Sequence, residues 1–222
     1  MNENGLSYFN RRVTINGHFG EFMQGRLEIK GPVVLITLPS LVHKVQVTFT
    51  SGNFDVSQKG SRYYTQSVIS NLLNHLKLQA NGKFDISLFM PEACGTGSST
   101  ATRVAILRAV RPRMSTKTLV ETCLLDEGAS DPVMYSSPER LLWAPRLGKV
   151  LKQLPVLPKI SCIGGFYGSP IKTNPNDKDF PIIKDLVDLW SLPRKTDKFL
   201  AELCSESSSR TIFHRKLQDD PT

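Results

Sequence analysis

The stretch of this chain richest in chemistry is Pro91-Glu92-Ala93-Cys94-Gly95-Thr96-Gly97-Ser98-Ser99-Thr100-Ala101. Glycines let a backbone come close to a ligand and turn its N–H groups toward it. A helix that begins just after them leaves its first N–H groups without internal partners, at the positive end of its dipole. Such a place suits phosphate. Ser98, Ser99 and Thr100 add hydroxyls for phosphate oxygens or for a magnesium ion. No lysine follows the glycines, so this is not a Walker loop. Thr100 stands where a dinucleotide fingerprint needs its third glycine. The plain alternative is a serine-capped helix after a glycine turn that binds nothing.

For this loop to work, a strand must deliver it and a helix must carry it away. Residues 84–90 alternate, with Phe84, Ile86 and Leu88 on one face, and Pro91 ends that strand. A helix is expected from about 99 to 110, stopped by Pro112, and another from about 116 to 126. Upstream, 12–16 reads as a strand running into a glycine-bearing turn over 17–25. Residues 33–38 form an apolar, buried type of strand, and 44–50 alternate cleanly. Residues 65–78 carry Val68, Leu72, Leu73 and Leu76 at helical spacing. A boundary is expected near 154–158, where two prolines flank Val156 and Leu157. Beyond it lie an apolar stretch at 160–163, a turn-rich segment at 164–168, a polar loop at 173–178, short helices at 179–190 and 196–204, and a frayed end from 216 to 222.

With 222 residues, 40% of them hydrophobic, the chain has enough material for a sizeable core and one large domain, or one and part of a second. The net charge of +8 fits an anionic partner: nucleic acid, a phosphate metabolite or a membrane surface. No two of the four cysteines stand at metal-ligand spacing, and the four histidines lie far apart, which argues against a zinc site. The N-terminus lacks a basic start followed by an apolar run, and the longest apolar stretch falls short of the roughly 20 residues of a spanning helix. A reduced, soluble, cytoplasmic protein with no membrane partner is therefore expected.

The phosphate-type loop resembles the second motif of the GHMP kinases, Pro-x-Gly-x-Gly-Leu-Gly-Ser-Ser-Ala-Ala. Pro91, Gly95, Gly97, Ser98, Ser99 and Ala101 match it; Ala93, Thr96 and Thr100 depart from it. Gly20-Glu21-Phe22-Met23-Gln24-Gly25 resembles the first motif of one branch, the L-threonine kinases of cobalamin synthesis, also called propanediol-utilisation proteins. Glu127-Gly128-Ala129-Ser130-Asp131-Pro132-Val133-Met134-Tyr135 looks like the same branch. The resemblance implies an α+β fold. Residues 1–155 would be a two-layer, ATP-binding N-terminal domain of the GHMP type (ribosomal protein S5 domain 2-like), and 156–222 an incomplete α+β C-terminal domain. It also implies a third glycine-rich motif, of which the sequence holds no copy. The expectation is a shortened chain of low turnover, with apolar residues such as Ile160, Ile163, Phe166 and Leu186 left exposed.

On that resemblance, ATP is bound by Pro91, Cys94, Gly95, Thr96, Gly97, Ser98, Ser99 and Thr100. Asp131 is the catalytic carboxylate beside the acceptor hydroxyl; its bland reading is a turn aspartate ahead of a proline. Magnesium takes hard oxygen ligands, for which Ser99 and Glu127 are the candidates, with Glu121 as the rival carboxylate. Glu21 and His18 are the candidates nearest substrate. Arg103, Arg108, Arg111, Arg113 and Lys117 form a basic run that reads as a solvated face. The implied activity is transfer of a phosphoryl group from ATP to a small hydroxy compound, with L-threonine the named acceptor. A nucleotide-binding remnant without activity is the alternative. A nucleic-acid-binding protein is the third reading, and the scattered charges and missing aromatic-basic strand pattern speak against it.

Overall fold

A computed structural model of the chain describes residues 10–61, 63–166, 177, 179–193 and 195–219, with backbone alone for 216–219. Tyr167, Gly168 and, apart from Asp177, the polar loop expected at 173–178 lie outside the described residues, as do 220–222.

Six strands make one sheet: β1 (Asn10–Arg26), β2 (Val33–Thr50), β3 (Asp55–Lys59), β4 (Lys83–Phe89), β5 (Leu141–Ala144) and β6 (Lys149–Gln153). β2 is its spine. β1 runs antiparallel along one side of β2; along the other side lie β4 at the C-terminal half and β5 at the N-terminal half. β3 extends the sheet parallel to β4, and β6 extends it antiparallel to β5. The two expected strands at 33–38 and 44–50 are thus one strand. Beta3, β5 and β6 have no counterpart in the sequence expectation.

The hydrophobic pattern of β2 explains how its two halves are covered. Residues 45 and 47 are buried valines between half-exposed or exposed neighbours, so that half covers one face only. Residues 33–36, Val-Val-Leu-Ile, are apolar without a break, so both faces are buried. On the first face, Leu35, Val45 and Val47 join Phe84, Ile86 and Trp143 in a core with α1 (Gln66–Asn74), α2 (Ser98–Val110) and α3 (Thr116–Glu127). On the opposite face, Val34, Ile36, Phe22, Met23 and Leu142 pack with Leu186, Val187 and Trp190 of α4 (Lys184–Trp190) and Leu200 and Leu203 of α5 (Asp197–Asp219).

The residues beyond Leu154 therefore place two helices on the far face of the same sheet. Leu186, expected to be exposed, is 3% exposed for this reason, while Ile163 and Phe166 do face solvent and Ile160 is half-buried. The helix expected at 179–190 is shorter, and the one expected at 196–204 runs on to Asp219.

The glycine turn expected at 17–25 is instead part of β1. Register shifts between Asn16 and His18, His18 and Glu21, and Glu21 and Met23 bulge the strand without reversing it. Gly17 allows close approach there: a Cβ on it would collide with the carbonyl oxygen of Thr96. α2 is buried along nearly its whole length because it lies across the sheet with α1 and α3 beside it. α3 starts at Ser115, whose Oγ accepts the Thr118 N–H at 3.1 Å, and ends at Gly128 in the left-handed region.

Candidate functional site

The bulge of β1 and the glycine loop are sewn together. The His18 N–H donates to Thr96 O at 2.9 Å, and the Gly20 N–H donates to Gly95 O at 3.1 Å. Inside the loop, Thr96 is 1% exposed and its Oγ1 donates to Pro91 O at 2.8 Å. Ala93, which stands where the GHMP pattern has glycine, has φ 56°, a conformation that costs a non-glycine residue roughly 1–2 kcal/mol. The loop therefore keeps a glycine-like path without the glycine. Gly97 caps α2 at φ 66°, and Ser98 and Thr100 are buried in its first turn, with Ser99 half-buried. Cys94 and Pro91 are half-buried and Gly95 is exposed.

His18 is 2% exposed and sits between two carboxylates. Its Nε2 is 3.5 Å from Asp131 Oδ2, and its Nδ1 is 3.7 Å from Glu21 Oε1. Neither ring nitrogen has a hydrogen-bond partner. Burial opposes a charge on the ring, but Asp131 and then Glu21 outweigh it and push the imidazole up to about 9. Burial raises the Glu21 carboxyl to about 7, and the imidazolium holds it from going further. A Cβ on Gly97 would lie 2.5 Å from His18 Nε2 and 3.3 Å from Asp131 Oδ2. Only a bare Cα leaves room for this pair beside the helix N-terminus.

The loop carrying Asp131 is held from both sides. The Asp131 N–H donates to Thr100 Oγ1 at 3.2 Å. The Ser130 N–H donates to Pro145 O at 2.9 Å, and the Trp143 indole N–H donates to Ser130 O at 2.5 Å. Asp131 thus hangs between α2 and β5.

In the first turn of α2, Ser99 Oγ donates to Glu127 Oε1 in a short hydrogen bond. Arg103 holds both: its Nη1 donates to Ser99 Oγ at 2.6 Å and lies 3.1 Å from Glu127 Oε1, while its Nε donates to Asp126 Oδ2 at 2.6 Å. Arg103 is 2% exposed, so the solvated basic face expected from 103 to 117 fails at its first member. Arg111, Arg113 and Lys117 are exposed as expected, and Arg108 is half-buried. Burial opposes the charge on Arg103; Glu127 first, then Tyr64 and Asp126, more than restore it. Burial also raises the Glu127 carboxyl, against the pull of Arg103 and Ser99. Glu121 lies away from this cluster, largely exposed and 3.9 Å from Lys117.

Ser99 and Glu127 are hard oxygen donors of the kind magnesium takes. The guanidinium already holds both, however, with Nη1 2.6 Å from Ser99 Oγ and 3.1 Å from Glu127 Oε1. The arrangement does not fit a protein-ligated divalent cation.

From His18 a cleft of about 1110 Å³ opens between the bulge of β1, the 37–43 stretch of β2 and residues 157–166. Phe19, Leu38, Val133, Tyr135 and Phe166 give it mostly apolar walls, and Phe19 stacks on His43 with ring centroids 5.3 Å apart. Sequence reasoning missed this cleft, Arg103 and the anchoring role of Thr100. For Arg103 the usable signal was its position one turn after Ser99 on α2.

No protein-family model matches the chain, and no curated protein matches it in sequence. Solved structures do. The mevalonate kinase of Methanococcus jannaschii superposes with a TM-score of 0.57 at 13% identity, over 96% of this chain and 81% of that one. A second mevalonate kinase structure gives 0.57 and 13%, over 92% and 80%. For the mevalonate kinase of methicillin-resistant Staphylococcus aureus MRSA252 the match is looser, with a TM-score of 0.39 at 14% identity over 53% of this chain, and it spans only 44% of that enzyme. The chain has the α+β fold of the GHMP-type kinases. Among the described residues no helix is long and apolar enough to cross a membrane.

Proposed function

We propose that this chain moves the terminal phosphoryl group of ATP onto the hydroxyl of a small metabolite. The observation that carries this reading is one juxtaposition. A glycine–serine loop at a helix N-terminus lies against the half-buried Asp131 and the buried His18, and His18 in turn borders a cleft. Loop N–H groups and hydroxyls at 95–100 hold the phosphates. The acceptor enters by the cleft. Its oxygen bonds to the terminal phosphorus as the bond from phosphorus to the ADP oxygen breaks, and its proton passes to an Asp131 oxygen. The imidazolium of His18 offsets charge on the phosphoryl oxygens. Such transfer depends mainly on positioning and charge neutralisation.

L-threonine is the acceptor proposed from the motif resemblance. A second reading is a bulkier, less polar alcohol, favoured by a cleft that is larger and more apolar than threonine requires. A panel of L-threonine, L-serine, L-homoserine, mevalonate and galactose, with apolar primary alcohols added, separates them by rate. For the nucleotide itself, Gly97→Val should remove measurable ATP binding, because its side chain would fill the space against His18 and Asp131. Unchanged affinity in a folded Gly97→Val protein would rule out the loop as the phosphate site.

A further inference from the structure

We propose that Arg103 occupies the cation position between Ser99 and Glu127, so that this pair holds a guanidinium in place of a divalent metal. The residues stand on rigid elements. Ser99 and Arg103 are four apart on α2 and therefore share a face. A helical side chain leans back toward the helix N-terminus, which carries the guanidinium to the first turn. There it is locked from several directions. Asp126 takes its Nε at 2.6 Å, and Ser99 O and Ser99 Oγ take Nη1 at 3.2 and 2.6 Å. Glu127 Oε1 lies 3.1 Å from Nη1. The rings of Tyr63 and Tyr64 lie 5.8 and 6.0 Å away.

Magnesium demands oxygens at about 2.0–2.1 Å in octahedral array. An ion bridging Ser99 Oγ and Glu127 Oε1 would have to share both with Nη1, bringing two positive charges into near contact in a buried place. Asp126 cannot relieve this, since it faces Nε of Arg103 and Nε2 of His75. A guanidinium nitrogen, by contrast, meets the hydroxyl and the carboxylate at ordinary hydrogen-bond distances, 2.6 and 3.1 Å from Nη1. The cation at this position is then a fixed part of the chain, its charge offset by Asp126 and Glu127. It follows, on the nucleotide reading above, that the loop takes a metal-free polyphosphate.

The test titrates Mn2+ into the protein alone, followed by electron paramagnetic resonance. The expected result is that the wild type shows no bound Mn2+ that Glu127→Gln removes. Arg103→Met should gain a Mn2+ site, lost again in the double variant with Glu127→Gln. Wild-type binding of Mn2+ that Glu127→Gln abolishes would overturn the proposal, as would a folded Arg103→Met protein that gains no site. Should Arg103→Met not fold, wild type against Glu127→Gln decides. A separate arm measures ATP affinity with excess Mg2+ and with EDTA; agreement within about threefold is expected, and tightening by Mg2+ that requires Glu127 overturns the proposal. Absence of ATP binding in both conditions would defeat the nucleotide reading, while the Mn2+ arm still decides this one.

Discussion

Two charged clusters flank Thr100, and they are built to opposite specifications. In the first, Arg103, Ser99, Asp126 and Glu127 close on one another through contacts of 2.6 to 3.2 Å and the short Ser99–Glu127 bond. In the second, His18, Glu21 and Asp131 stand 3.5 and 3.7 Å apart, and both ring nitrogens of a buried histidine lack a hydrogen-bond partner. A satisfied buried network rigidifies what surrounds it. An unsatisfied one keeps polar capacity in reserve, and reserve beside a cleft marks a site. The difference supports the proposal above, in which the first cluster holds the loop and α3 in place and the second meets a ligand.

The sharpest way to break this division is to remove its most enclosed charge. Arg103→Leu leaves Asp126 and Glu127 without their buried counter-ion and should cost about 3–5 kcal/mol of stability. Urea denaturation reads this directly; a loss below about 1 kcal/mol would mean that the closed cluster contributes little. In the open cluster the effect should fall on rate instead. Asp131→Asn should lower ATP-dependent phosphorylation roughly 100- to 1000-fold, about 3–4 kcal/mol on the barrier, with ATP affinity little changed. If the variant keeps most of its rate, Asp131 is a structural turn residue.

The open cluster should also respond to pH. The imidazole of His18 is raised from 6.5 to about 9 in the folded chain. A raised basic group adds stability that is fully present below 6.5 and is lost as pH climbs through 9. At roughly 1.4 kcal/mol per pH unit, that is about 3 kcal/mol. Glu21, raised to about 7, works in the same direction but titrates mostly below this window. Thermal melts of wild type and His18→Gln should therefore converge from pH 6.5 to 9, and a constant gap would contradict the charge assigned to His18. The smallest effect belongs outside both clusters. Glu121→Gln removes an exposed partner of Lys117 and should change stability by less than about 0.5 kcal/mol.

Legibility followed the same line as function. The helix over about 99–110, its stop before Pro112 and the next helix from about 116 are short-range features, and the sequence showed them. The glycine loop stood out for the same reason. Arg103 did not. Its sequence neighbours include further arginines, and its partners Asp126 and Glu127 lie on another helix. His18 and Glu21 were seen as candidates, but in a turn; the bulged strand that aims them depends on β2 pairing across from them.

By itself the sequence determined the strand–loop–helix unit over 84–110 and the residue types able to meet phosphate, while the α+β class followed from the resemblance to the GHMP kinases. The sequence also marked 33–38 as an apolar, buried type of strand, since an unbroken apolar run has no face to give to water. Only the tertiary structure decided what covers the second face, which is α4 and α5, and which acids meet which bases. Side-chain period is a property of neighbouring residues along one chain segment. The pairing of Arg103 with Glu127, or of His18 with Asp131, is set by how segments far apart in sequence are packed against a shared sheet.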